Sequence, residues 1–413
     1  MRVLHLLSQR PSLTGSGITL DALVRCAAAA GWDQRVVVGI PAVGPEPEVG
    51  GLDHDRIHPL RFGAGGLDFQ VPGMSDVMPY PSTVFSAMTD RQISVYLDAW
   101  RGHLGGIVAD FDPQVIHSHH VWLMSALVKD IAPTVPVVTH CHATGLRQMR
   151  LVPDLADRVR RGCARNDAFF ALHRQHADDL ERELDIPRDQ IHVIGAGYRE
   201  DLFHSRGRKD RRPPALLYIG KYSSAKGLPS LLDAFERLAS RHPGLQLHIA
   251  GEGSGPEAEV LRARMLAMAP RVQLHGQLPQ TELAAVMRRS DVCVLPSFYE
   301  GLPLVLVEAL ACGCRLVATD LPGVAEELAP KIGSALELVE LPPMAGIDTP
   351  DAAGLPAFVD RLARAVARAV DAGPAGDRAA ALEAFTWPAV FGRIEHIWRR
   401  LIADAVAALD RRP

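Results

Sequence analysis

A chain of 413 residues is longer than one ordinary hydrophobic core supports, and the usual size of domains points to two of them. Hydrophobic residues at 47%, charged residues at 22% and a formal charge of −4 describe an ordinary globular composition, without the basic excess on which nucleic-acid binding draws. Six cysteines at 26, 141, 163, 293, 312 and 314 lack paired metal spacing, which points to a reduced cytoplasmic setting, and no run approaches about 18 apolar residues, which argues against a membrane span while leaving room for peripheral membrane contact.

Met1–Leu7 is too short an apolar run for a signal peptide and reads as a first strand. The loop from Ser8 to Gly17, the helical spacing from Ile18 to Ala30 and the strand Arg35–Gly39 then complete a β-loop-α-β unit. Gly15-x-Gly17 suits either a phosphate cradle or a plain tight turn. The stretch 61–83 shows no clear period, and loops of such length tend to be binding elements; residues 63–82 are a candidate acceptor loop, with a surface excursion as the alternative.

Val115–Trp122 and Pro136–Gly145 are two strand ends that carry five histidines, His117, His119, His120, His140 and His142, within 26 residues. Along either strand no acid stands at ligand spacing, which argues against a metal site. Helical patterns over 155–165 and 173–184 and a strand over 191–197 follow. Ser205–Pro214 is basic, lacks apolar residues and ends in two prolines, so it reads as a linker, with the domain boundary after 205. No aromatic residue interleaves its charges, as single-stranded nucleic-acid binding would require.

The second half restarts with a strand at Ala215–Gly220, followed by Lys221 and by Lys226-Gly227, then a helix through Leu231 to Leu238. Strands over 245–250 and 271–278 follow, the first running into the glycine-rich turn 251–255 and the second carrying Gly276. Asp291–Pro296 reads as a buried strand ending at a proline; the loop Ser297–Pro303 and an almost wholly apolar helix from Leu304 come next. Glu300 stands in that loop, where open α/β sheets put their ligands, and Glu308 about one turn into the helix. The alternation continues through 315–320 and 323–327, and the tail from 386 to 413 reads as one amphipathic helix packed back on the first half. Strand–helix alternation in both halves supports two doubly wound α/β domains.

The run Tyr-Glu-Gly-Leu-Pro-Leu-Val-Leu-Val-Glu-Ala-Leu-Ala-Cys-Gly, residues 299–313, resembles the donor-site motif of retaining glycosyltransferases of family 4, with Glu300 and Glu308 as its two acids. The resemblance implies the GT-B fold, an α/β architecture of two Rossmann-like domains facing across a cleft. The corresponding division is an acceptor domain over 1–205, a nucleotide-sugar donor domain over 206–385 and the terminal helix over 386–413. It implies a nucleotide-sugar donor, most often UDP-linked, and transfer to a hydroxyl acceptor with retention, with no cofactor and no metal. Catalytic roles fall by resemblance on Glu300, His142 and Lys226. Donor binding falls on Gly15, Gly17, Lys221, Lys226, Gly276, Glu300, Gly301, Leu302, Pro303, Leu304 and Glu308. His119 is placed on the acceptor side. Lys221 stands where the family commonly has arginine, and Ala196-Gly197 where it usually has Asn-Gly. A nucleotide-sugar epimerase of the same fold and a non-catalytic nucleotide-sugar binder are the rival readings.

Overall fold

The computed structural model describes all residues except 12, 13, 77, 209–212 and 410–413, and only the backbone of Leu409. The chain divides into two compact units: residues 1–196 with 387–413, and residues 197–386.

In the first unit the strands are β1 (Arg2–Leu7), β2 (Asp33–Pro41), β3 (Ile57–Phe62), the short pair β4 (Pro72–Gly73) and β5 (Thr83–Val84), then β6 (Val115–His119), β7 (Val137–His140), β8 (Ala168–Ala171) and β9 (Ile191–Val193). Seven of them form one sheet in the order β3-β2-β1-β6-β7-β8-β9, and each neighbouring pair is parallel. Parallel strands need a covered layer on both faces, and the sequence supplies two. On one face pack the helices Asp90–Phe111, Leu123–Ile131 and Pro153–Cys163, with Phe62, Tyr96, Trp100 and Trp122 buried beneath them. On the other pack the helices Gly15–Ala29 and Trp387–Leu409. Trp398 of the terminal helix stands edge-on to Trp32, His5 and His117, and Glu395 accepts the Trp32 indole N–H at 3.0 Å.

The second unit is a parallel sheet of β10 (Ala215–Ile219), β11 (Gln246–Ala250), β12 (Val272–Gly276), β13 (Val292–Leu295), β14 (Arg315–Thr319) and β15 (Leu336–Val339), in the order β12-β11-β10-β13-β14-β15. Helices Leu228–Ala239, Pro256–Ala267 and Leu355–Ala372 cover its main core. In each sheet the order turns back at one place, between β1 and β6 in the first and between β10 and β13 in the second. Connections leave the sheet in opposite directions there, which opens a crevice at the carboxyl ends of the strands. Among the described residues no helix is long and apolar enough to cross a membrane.

Two expectations change. The stretch 63–82, apart from Val77, is no surface excursion: Leu67, Val71 and Met74 are buried in the core. The Gln9 side chain accepts from the Met74 amide at 3.3 Å, and Gln148 donates to the Met74 carbonyl at 3.2 Å. The basic stretch expected as a linker is anchored where it is described. Arg208 donates to Asp291 at 2.9 Å and to the Ser290 carbonyl at 2.7 Å, with both charged side chains over nine-tenths buried. Residues 209–212 lie outside the described residues. The reason is that Asp291, at the entry to β13, also accepts the Ala215 amide at 2.9 Å, so a buried carboxylate there needs a cation and the basic run provides it.

Arg208→Ala should therefore lower the stability of the second unit by about 3–5 kcal/mol, the usual cost of leaving a buried charge unpaired. Urea unfolding followed by fluorescence measures it; the exposed Arg206→Ala should leave the curve unchanged, and equal curves for both variants would refute the anchoring role.

Candidate functional site

The crevice of the second unit is built from β10 and β13. After β10 the chain makes a short turn, Ser224–Lys226, and Gly227 follows with φ of 67°. A Cβ at Gly227 would stand 2.0 Å from the Pro296 carbonyl oxygen, so only glycine lets this turn lie against the end of β13. The Phe298 amide donates to the Ala225 carbonyl at 3.0 Å and locks the two segments together. The consequence is a contact between residues 74 apart in sequence: Lys226 Nζ donates to Glu300 Oε1 at 2.8 Å and to the Tyr299 carbonyl at 3.4 Å. Both side chains keep some solvent exposure, 29% for Lys226 and 19% for Glu300, so an incoming anion can compete for the lysine.

Behind this pair runs the helix Leu304–Ala311, whose amino terminus at Pro303 has no side-chain cap. Leu302 and Pro303 are buried, while Gly301 and Leu304 are half-buried. Glu308 is 8% exposed, and among the described residues nothing hydrogen-bonds its carboxylate. Desolvation alone pushes its pKa up to about 7. Lys221 is exposed, and its carbonyl accepts the buried Tyr218 hydroxyl at 2.7 Å. Gly276, with φ of 66°, ends β12 beside Glu252.

In the first unit the crevice lies between β1 and β6. Gly15 and Gly17 fall inside the first helical turn and not in the loop ahead of it; Thr14 caps that turn by accepting the Gly17 amide at 3.1 Å. Gln9 donates to Thr14 and Ser16 at 3.0 and 2.9 Å, so the loop after β1 is tied to the helix start. The histidines form an array across β6 and β7. His119 Nδ1 and His142 Nε2 are 2.9 Å apart, and His117 Nε2 and His140 Nδ1 are 3.3 Å apart. His142 is half-buried at the end of β7, whereas His119 is buried behind it and presents no surface to an acceptor. Burial holds His140 and His120 near pKa 3, and it pushes His117, His119 and His142 well below the ordinary imidazole value. Both strand ends turn through residues at positive φ that are not glycine, His120 at 70° and Ala143 at 63°. Such residues cost energy and cluster at functional sites. The Thr144 hydroxyl bonds the ring of His120 at 3.0 Å, and Gly145 packs where a Cβ would meet the Val121 carbonyl oxygen at 2.6 Å.

Gly227→Ala is expected to lower the thermal midpoint by several degrees and to weaken the Lys226–Glu300 contact, because the backbone of Pro296 has to move. Gly15→Ala, which meets nothing within 4 Å, should leave the midpoint unchanged. Thermal unfolding of the two variants side by side tests this, and equal midpoints would refute it.

Comparison with known proteins matches both units. Residues 14–197 match the family model described as "Glycosyl transferase 4-like domain", and residues 199–336 match "Glycosyl transferases group 1". The chain is 28% identical over 344 residues to the glycogen synthase of Mycobacterium tuberculosis, covering 79% of this chain and 80% of that protein. Among solved structures, the sucrose-phosphate synthase of Thermosynechococcus elongatus superposes with a TM-score of 0.69 at 20% identity, covering 98% of this chain and 100% of that one. The Anabaena protein HepE in complex with UDP and glucose superposes with a TM-score of 0.62 at 16% identity, covering 95% and 98%. With two parallel, helix-flanked sheets and consecutive family matches over both units, the chain has the GT-B fold and belongs to the glycosyltransferases of the family 4 type.

Proposed function

We propose that this glycosyltransferase moves a sugar from a nucleotide diphosphate sugar, with UDP as the nucleotide, to a hydroxyl acceptor, with retention at the anomeric carbon and without a metal ion. The observation that carries the reading is the 2.8 Å contact of Lys226 with Glu300 at the carboxyl end of β13, beside an uncapped helix start and the buried Glu308. In the free enzyme Glu300 serves as the counter-ion of Lys226. An arriving diphosphate takes over Lys226, aided by Lys221 and the helix N–H groups, and leaves Glu300 to accept from hydroxyls of the sugar. As the glycosidic bond breaks, charge grows on the leaving phosphate, and the lysines stabilise it more than the ground state. The leaving phosphate takes the acceptor proton. Glu308 accepts from the ribose hydroxyls. His142, half-buried at the end of β7, is the proposed catalytic residue of the first unit. Of the two Asp-x-Asp sequences, Asp53-His54-Asp55 is an exposed turn and Asp110-Phe111-Asp112 has both acids ion-paired, with Arg35 and Arg2, which supports transfer without a divalent cation. Cys141, Cys163, Cys293, Cys312 and Cys314 are free thiols, which supports a reducing, cytoplasmic setting.

Glu300→Gln should lower kcat by a factor on the order of 10²–10³, the scale of one transition-state contact, without weakening UDP, since it frees Lys226 for the diphosphate. Glu308→Gln should raise the UDP dissociation constant about tenfold or more. Initial rates at saturating donor and UDP titration read the two effects, and an unchanged rate for Glu300→Gln would overturn the reading.

Glu308 also predicts a pH dependence. Its carboxyl keeps its proton up to a pKa of about 7 in the free enzyme, and the ribose contact needs the carboxylate, so nucleotide binding expels a proton below that pH. UDP affinity should rise about tenfold from pH 6 to pH 8 and level off above, and this part of the profile should vanish in Glu308→Gln. Calorimetry in two buffers of different ionisation enthalpy measures the proton release; identical profiles for both proteins would refute it.

Turnover should also survive EDTA. Activity that disappears in the chelator and returns with Mg²⁺ or Mn²⁺ would exclude the metal-independent route.

A further inference from the structure

Three buried histidines of β6 and β7, His117, His119 and His140, have no role in the proposed sugar transfer. Along either strand no acid stands at ligand spacing, which is why the sequence argues against a metal, but pairing of β6 with β7 sets His119 directly opposite His140. One ring nitrogen from each of His117, His119 and His140 then lies within 4.8 Å of the other two. All three side chains are buried.

We propose that His117, His119 and His140 form a binding site in the first unit for one borderline first-row divalent cation of the zinc class.

Three observations support it. The 3.3 Å between His117 Nε2 and His140 Nδ1 matches the edge of a tetrahedral site, which is about 3.4 Å for zinc–nitrogen bonds of about 2.0–2.1 Å. The ring of His119 is stacked on that of His117, with centroids 4.9 Å apart and its ligand nitrogen within 4.8 Å of the other two, so it has to turn about its side-chain bonds to reach the third corner. His119 Nε2 is buried without any hydrogen-bond partner. A buried polar atom without a partner is uncommon and costs free energy, and an unfilled ligand position accounts for it. The donor set is imidazole alone, which selects zinc, nickel, copper or cobalt over magnesium and calcium. Half-buried His142, bonded to His119 Nδ1, stands at the outer end of the array and offers the way in from solvent. With the ion on His119 Nε2, Nδ1 must carry the proton, so His119 donates to His142 Nε2 and fixes the tautomer of the outermost ring.

The proposal is independent of the transfer reading because its readout is ion content. The full-length protein, freed of metal by dialysis against 1,10-phenanthroline, is titrated at pH 7.5 with Co²⁺ and then with Zn²⁺. One equivalent of Co²⁺ per chain is expected, with visible absorption of four-coordinate strength that Zn²⁺ displaces. His119→Gln and His140→Gln, which keep a polar side chain, should each weaken binding about tenfold or more, whereas His103→Gln on the helix Asp90–Phe111 should not. Zinc-edge absorption of the unsubstituted protein should show nitrogen neighbours at about 2.0 Å and no sulfur, a reading that does not depend on whether a variant folds. Failure of the unsubstituted protein to hold one equivalent, sulfur in the shell, or undiminished binding by both variants would overturn the proposal.

Discussion

The crevice of the second unit depends on the close approach of two backbone segments, the turn after β10 and the end of β13. That approach is possible because residue 227 has no Cβ and adopts φ of 67°. With the Phe298 amide tied to the Ala225 carbonyl, the turn cannot drift, and Lys226 reaches Glu300 through a short, partly dry path. The same steric economy recurs between neighbouring strands: a Cβ at Gly251 would stand 2.1 Å from the Gly220 carbonyl oxygen, where β10 and β11 leave the sheet. Glycines at these places let strand ends crowd together, and crowded strand ends place loops close enough to act on one ligand.

Electrostatically the two glutamates differ because their surroundings do. Glu300 shares a partly exposed ion pair, while Glu308 sits within an apolar helix where nothing among the described residues compensates its charge. One acid is thereby held by a cation in a partly exposed pair, and the other is strained toward its neutral form. Burying Glu308 without a partner costs stability. Such a cost is commonly kept at sites that must bind polar ligands tightly.

The first unit solves a different problem. Its central strands carry, besides Ser118 and Thr139, a file of histidines that runs from His5 through His117 and His119 to His142, stacked and paired edge to edge. Imidazole suits this place because it is flat enough to pack against Phe170 and Trp398 yet keeps polar atoms directed along the sheet. The terminal helix completes that packing, since Trp398 covers both His5 and His117.

By itself the sequence determined the alternation of strands and helices, the strand–loop–helix unit around residues 292–311 and the identity of its acids, because these depend on local periodicity, proline and glycine punctuation and motif spacing. It was mute on β8 and β15, each of four residues, and on the helix Asp90–Phe111, whose Gly102, Gly105 and Gly106 weaken the helical signal. Only the tertiary structure decided that Lys226 meets Glu300, that Arg208 neutralises Asp291 and that histidines of two strands converge. It also decided that Glu308 is an acid with a pKa of about 7. The physical reason is common to all four. Each depends on parallel register, on burial or on backbone contact between segments far apart in the chain, and neither desolvation nor register is written in the spacing of neighbouring residues.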